Sequence, residues 1–258
     1  MDRWAPFPYE CAGCWRDLTE LRALWPQLHR GDCEPWPKEA AVQQAWQLYH
    51  AGRFREAYEA GLAAGGAGLH CANKAEVVQA RYLERREGIK MARWWAVVER
   101  GAALREAQPY SANAWFWPTY ALGLYALGLS LPEARAQGLL AQVKLGLETT
   151  LRLQPRHADA WLALAVYHAE TVAKLGRRAA RAQGADAATA MACFEKAQAL
   201  NPGSAIVRVE RAQGLLLLEG RRRLVEADAL FAEAAVIEPL DAVERLHREL
   251  ACADPVTP

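Results

Sequence analysis

The stretch Leu153-Gln-Pro155-Arg-His157-Ala-Asp159-Ala-Trp161-Leu-Ala-Leu164-Ala165 decides how this chain folds, because its first half recurs. The same order of residues appears in Ala107-Gln-Pro109-Tyr-Ser-Ala112, Leu200-Asn-Pro202-Gly-Ser-Ala205 and Ile237-Glu-Pro239-Leu-Asp-Ala242. A proline just beyond a helix cannot continue it, and a Ser or Asp two residues later can cap the next helix. The four prolines therefore mark junctions between repeated helical units. They are separated by 46, 47 and 37 residues.

Within the unit ending at Pro202, a first helix carries Trp161, Leu164 and Ala165, and a second carries Ala190, Phe194 and Ala197. This is the tetratricopeptide pattern, and the chain resembles that class of repeat. Small residues at 165 and 190 let two antiparallel helices approach closely, while Trp161 and Phe194 fill the space between neighbouring repeats. The next unit repeats the second-helix half as Ala227, Phe231 and Ala234, after an apolar first helix over 205–219. Tetratricopeptide units are about 34 residues long. The longer intervals thus predict insertions in two inter-helix turns.

Working backwards, Gly52-Arg-Phe54-Arg-Glu-Ala57 reads as a turn and second-helix start, preceded by a helix from about Lys38 to His50. A glycine-rich break spans Gly61 to Gly68, and a further pair covers about 73–87 and 88–107. No segment alternates with period two, so strands are not expected. The expected fold is all-α: an α-α superhelix of about five helix pairs, two with enlarged inter-helix insertions, and a closing helix over 241–251. The expected organisation is a leader rich in Trp, Pro and Cys over 1–36, a repeat domain over 37–251 and a tail over 252–258.

Residues from about Asn113 to Glu238 also resemble the repeat domain of the regulator of microtubule dynamics family. The resemblance is carried by Ala114-Trp115-Phe116, by Leu151-Arg-Leu153-Gln-Pro155, by His157-Ala-Asp159-Ala-Trp161-Leu-Ala-Leu164, and by Ala190, Phe194, Lys196-Ala197, Leu200 and Pro202. It implies a helical-repeat binding domain in a family linked to microtubules, organelle contacts and lipid binding, and it implies no enzyme. Pro118 is expected to interrupt the helix that follows Phe116.

The bulk properties narrow the function classes. Thirty-one Lys and Arg balance thirty Asp and Glu for a net charge of +1, which supplies no field for nucleic acid. No signal peptide is legible in Met1 to Glu10, so a cytoplasmic location is expected. Residues 111–131 lack charge and are long enough to cross a bilayer, but Asn113, Pro118, Thr119 and two glycines favour a buried helix. The chain is not expected to span a membrane.

No phosphate-binding loop, dinucleotide fingerprint, zinc-protease helix or nucleophile elbow is present, and the chain has three serines. Gly65-Gly66-Ala67-Gly68 lacks a following Lys and reads as a turn. His168 and Glu170 lie on different faces of a helix, and His168 reads as a packed residue. His157, beside a junction, reads as a local cap or surface residue. Neither catalysis nor a cofactor is expected. One metal-like spacing exists: Cys11-Ala-Gly-Cys14, then His29 and Cys33, could surround zinc, against a redox pair or an unligated leader packed over the first repeat.

First helices line the concave surface of such a superhelix. The Trp161 register selects Trp46, Tyr49, Tyr82, Arg86, Asn113, Phe116, Tyr120, Leu162 and Val166 as groove residues. Arg86 and Asn113 could orient a carboxylate or phosphate. The leading expectation is a scaffold that grips a peptide or partner helix in this aromatic groove. The alternative is a carrier of a lipid or other apolar molecule in an enclosed cavity. A third arrangement has the insertions fold over the groove, making its aromatics plain core.

Overall fold

The computed structural model describes residues 4–10 and 14–253. All regular elements among them are helical. The five expected pairs are α2 (Ala40–His50) with α3 (Phe54–Ala64), α4 (Gly68–Val78) with α5 (Glu87–Ala107), α6 (Ala112–Leu127) with α8 (Leu139–Leu153), α9 (Ala158–Leu175) with α11 (Ala187–Leu200), and α12 (Ala205–Glu219) with α13 (Leu224–Ala235). The short helices α7 (Leu131–Ala136) and α10 (Arg177–Ala182) occupy the two enlarged turns. A helix in the leader, α1 (Leu18–Leu28), precedes them, and α14 (Ala242–Cys252) closes the chain.

The junctions act as their sequence predicts. Ser111, His157, Ser204 and Asp241, each two residues after a proline, accept a hydrogen bond from the backbone N–H three positions on. A second regularity lies six residues after each of three prolines. The indole N–H groups of Trp115 and Trp161 donate to the carbonyls of Pro109 and Pro155, both at 3.0 Å, and the Arg208 guanidinium donates to that of Pro202 at 2.6 Å. The side chain thus satisfies a carbonyl that the interrupted helix leaves without a partner.

Inside the pairs, Ala165, Ala190, Phe194 and Ala197 are fully buried, as the repeat pattern requires. The first helices α2, α4, α6, α9 and α12 form the inner layer, each packed against the first helix of the next pair, and the second helices form the outer layer. The helix α6 continues through Pro118. Gly101 of α5 makes this tolerable, because the proline ring lies where a Cβ at 101 would stand. The freed space, not a break, absorbs the ring. No helix among the described residues is long and apolar enough to cross a membrane.

Two features lie outside the repeat plan. α14 packs against α12 and α13 and also reaches α2, so the last repeat returns to the first. The segment His29–Glu34, after α1, runs across the inner layer. Its Asp32 meets Lys74 of α4, its Glu34 meets Asn113 of α6, and the Gly31 carbonyl accepts from the Asp159 N–H of α9. Trp25 and Trp36 of this leader pack with Trp46 in one apolar cluster. The leader is thereby part of the fold.

Candidate functional site

The inner layer surrounds a cavity of about 390 Å³. Its walls are apolar and aromatic: Tyr49 from α2, Tyr82 from the π-helical turn Gln79–Leu83 that continues α4, Phe116 and Tyr120 from α6, and Leu162 and Val166 from α9. α14 adds Val243, Glu244 and His247, and the first insertion adds Leu131 and Ala134. Leu127 and Lys174, 41% and 40% exposed, stand at its rim.

Of the residues selected from the sequence, the six aromatic and aliphatic ones just named line this cavity. Trp46 and Asn113 do not. Trp46 is wholly buried against Trp25 and Tyr49. Asn113 is saturated: its amide donates to the Asp32 carbonyl and to Glu34 Oε2, and its Oδ1 lies 3.0 Å from His157 Nε2. Arg86 stands at the start of α5 with its guanidinium on Glu84, and it does not line the cavity. These positions correct the expectation that Arg86 and Asn113 orient an anion, since one faces elsewhere and the other has no free donor. The third arrangement holds only in part, because the insertion helix α7 covers one wall and leaves the cavity in place.

Of the residues with zinc-like spacing, Cys14, His29 and Cys33 have other partners. Cys11 lies outside the described residues. Cys14 is disulfide-bonded and has no thiolate to offer. Cys33 donates from Sγ to the Arg156 carbonyl at 3.4 Å, and burial pushes its thiol up to about 11. Both ring nitrogens of His29 are engaged, by Asp32 at 2.8 Å and by His50 at 3.1 Å. Among the described residues, Cys14, His29 and Cys33 do not form a donor set for zinc. His168 is buried and accepts the Asp186 N–H.

At the leader end of the cavity lies a cluster of ionisable groups from five helices and the leader strap. Lys74 is its centre. Its ammonium is 2.6 Å from Asp32 Oδ2 and lies over the rings of Tyr49 and Trp117 at 5.3 and 5.1 Å. Burial alone would lower the Lys74 ammonium, but Asp32 and Asp159 hold it raised. Burial alone would raise the Asp32 carboxyl, but Lys74 and His29 hold it well below its ordinary value. The pair is therefore ionised, as a hydrogen-bonded buried pair must be.

From Asp32 a chain of side chains runs to α14. His29 Nδ1 faces Asp32, His29 Nε2 faces His50 Nε2, and His50 Nδ1 faces Asp241 Oδ2 at 2.6 Å. The His50 hydrogen bond lowers Asp241 against the effect of burial. With both carboxylates ionised, each imidazole donates from Nδ1 to its carboxylate. Burial pushes His50 down to about 4, against the raising effect of Asp241.

Asp159 and Glu244 complete the cluster. The Asp159 carboxyl lies against Gly31, where any Cβ would overlap it, and accepts no hydrogen bond among the described residues. Burial, then the charge of Asp32, push it up to about 7. Burial, then Asp241, raise Glu244 to the same value. Arg81 is ion-paired to Glu210 across the cavity. His247 is held down to about 3 by burial and by Arg81. The Tyr49 hydroxyl, 1% exposed, has no partner, and neither has the Trp117 indole N–H.

Sequence reasoning singles out His29 for zinc and Asp241 as a cap, and it selects none of Asp32, Lys74, Asp159 and Glu244. They come from separate elements with no common spacing, and the one local sign is a charge inside an apolar run, as in Ala72-Asn-Lys74-Ala75 and Ala158-Asp159-Ala160.

No protein-family model matches the chain, and no curated protein matches it. Among solved structures the chain is similar to TTC0263, a thermophilic TPR protein of Thermus thermophilus. The TM-score is 0.60 at 20% identity, over 82% of this chain and 97% of that one. The chain is thus a tetratricopeptide-type helical-repeat protein in its fold. The resemblance of residues 113–238 to the regulator of microtubule dynamics family rests on the residues quoted for it.

Proposed function

We propose that the chain is a protein-interaction module that seats a short anchor of a partner, a chain end or a few side chains, in the inner cavity. The cavity carries the proposal: it is lined by Tyr49, Tyr82, Phe116, Tyr120, Leu162 and Val166 and is open at the rim formed by Leu127 and Lys174. Aromatic side chains give large contact area at small conformational cost. A whole partner helix, about 10 Å across, is too wide for an enclosure of this size.

A second reading takes the enclosure as a small-molecule site. A volume of about 390 Å³ falls within the roughly 300–1,000 Å³ usual for small-molecule sites. Under this reading the chain carries an amphipathic small molecule.

Native mass spectrometry of the freshly purified protein, with a pull-down from its own host, separates the two. A stoichiometric protein partner lost on Val166→Trp supports the first reading, and a co-purifying small molecule lost on the same substitution supports the second. A partner whose capture is indifferent to Val166→Trp removes the cavity from both.

A further inference from the structure

The cavity has more carboxyls than cations to meet them. Lys74 is spent on Asp32 and Arg81 on Glu210. Asp241 is met by His50. Asp159 has neither a hydrogen-bond donor nor an ion pair among the described residues. Glu244 accepts from the Leu240 N–H but has no ion pair. An anionic group entering here would face three carboxyls, Asp159, Asp241 and Glu244, while the lining cations Lys74, Arg81 and Lys174 each stand in an ion pair. The opposite charge would find the Asp159 carboxyl and the rings of Tyr82 and Phe116 in the cavity wall. Carboxylates joined to aromatic faces suit ammonium groups.

We infer that the cavity takes a protonated primary amine on an apolar stem, its ammonium at Asp159 and its stem along Phe116, Tyr120, Leu162 and Val166. The inference rests on the reading of the cavity as the binding site. The same chemistry is offered by a lysine side chain of a partner and by a small alkylamine. Because Asp159 and Glu244 are both raised to about 7, arrival of the ammonium at that pH displaces a proton to solvent.

The test is calorimetric titration of the full chain at pH 7 with n-octylammonium, octan-1-ol and octanoate. A short neutral peptide carrying one lysine is compared with its norleucine counterpart. The expected result is that an amine probe binds at least about tenfold more tightly than its neutral counterpart, with octanoate weakest. The heat should differ between phosphate and Tris buffers by the proton released.

Asp159→Asn should remove that preference, and its melting curve shows that the fold is kept. Octylammonium as the binding probe assigns a small amine; the lysine peptide alone assigns a protein partner. If octanol or octanoate binds as tightly as the amine, or Asp159→Asn keeps the preference, the amine inference falls and the cavity reading stands. If no probe binds, both fall.

Discussion

His50 Nδ1 lies 2.6 Å from Asp241 Oδ2, a contact between residues 191 positions apart that fastens the last helix to the first repeat. Asp241 does two jobs there: its other oxygen caps α14 by accepting the Glu244 N–H at 2.8 Å. Asp241→Ala should cost about 3–5 kcal/mol, the range for breaking a buried hydrogen-bonded pair. Asp241→Asn keeps a capping oxygen and should cost less. Chemical denaturation measures the difference, and hydrogen exchange should show α14 losing protection first in the alanine variant.

Stability should depend on pH through two opposed sets of groups. His50 and His157 are depressed to about 4 and His247 to about 3, from 6.5, so each contributes stability above 6.5 that is lost as pH falls toward those values. Asp159 and Glu244 are raised to about 7, so each contributes stability at low pH that is lost as pH rises through 7. Between about pH 4.5 and 6.5 the lowered histidines, His168 among them, outnumber the two carboxyls, and stability rises with pH; above 6.5 the two carboxyls and the raised His70 act together, and it falls. Asp159→Asn should steepen the rise and flatten the fall. Melting temperatures from pH 4.5 to 8.5 test this, and an unchanged profile in the variant refutes the account.

The repeat is legible in the sequence because its signals are local. A proline, a cap two residues later and small residues at fixed offsets sit close together along the chain, and Ser111, His157, Ser204 and Asp241 cap where their spacing predicts. The aromatic wall is legible through helical period alone. The same period misplaces Arg86, because the helix ends with the π-helical turn Gln79–Leu83 and Arg86 lies beyond it, in extended backbone before α5. The charged cluster is not legible, because Asp32, Lys74, Asp159, Asp241 and Glu244 meet only when the leader strap and α14 close on the inner layer.

Two glycines hold neighbouring helices at close approach. A Cβ at Gly101 would overlap the Pro118 ring, and one at Gly146 would overlap the side chain of Thr119, the residue after that proline. Each Gly→Ala change should therefore destabilise by about 1–3 kcal/mol despite alanine's better helix propensity. Leu145→Ala, beside Gly146 but 60% exposed, should stay within about 0.5 kcal/mol. Urea midpoints of the three variants are the measurement. A stabilised Gly146→Ala would mean that α6 and α8 can part without cost.

Lys74 is the cation that makes the buried carboxyls tolerable, and its removal has a consequence that a simple packing residue would not show. Its ammonium is bound to Asp32 and acts on Asp159, Asp241 and Glu244 together. Lys74→Met fills the same space and keeps the stem against Tyr49 and Trp117, so a pure packing role predicts little change at any pH. With the charge gone, Asp32 is left buried without its ammonium, and a loss of about 3–5 kcal/mol is expected at pH 8. Protonation relieves that cost, because the carboxyls in the variant take up protons more readily than in the parent. The penalty should thus shrink as pH falls from 8 toward 5, which is the opposite of the trend set by His50 and His157. Guanidinium unfolding at pH 5 and pH 8 reads the two values, and a penalty equal at both pH values would assign Lys74 to packing alone.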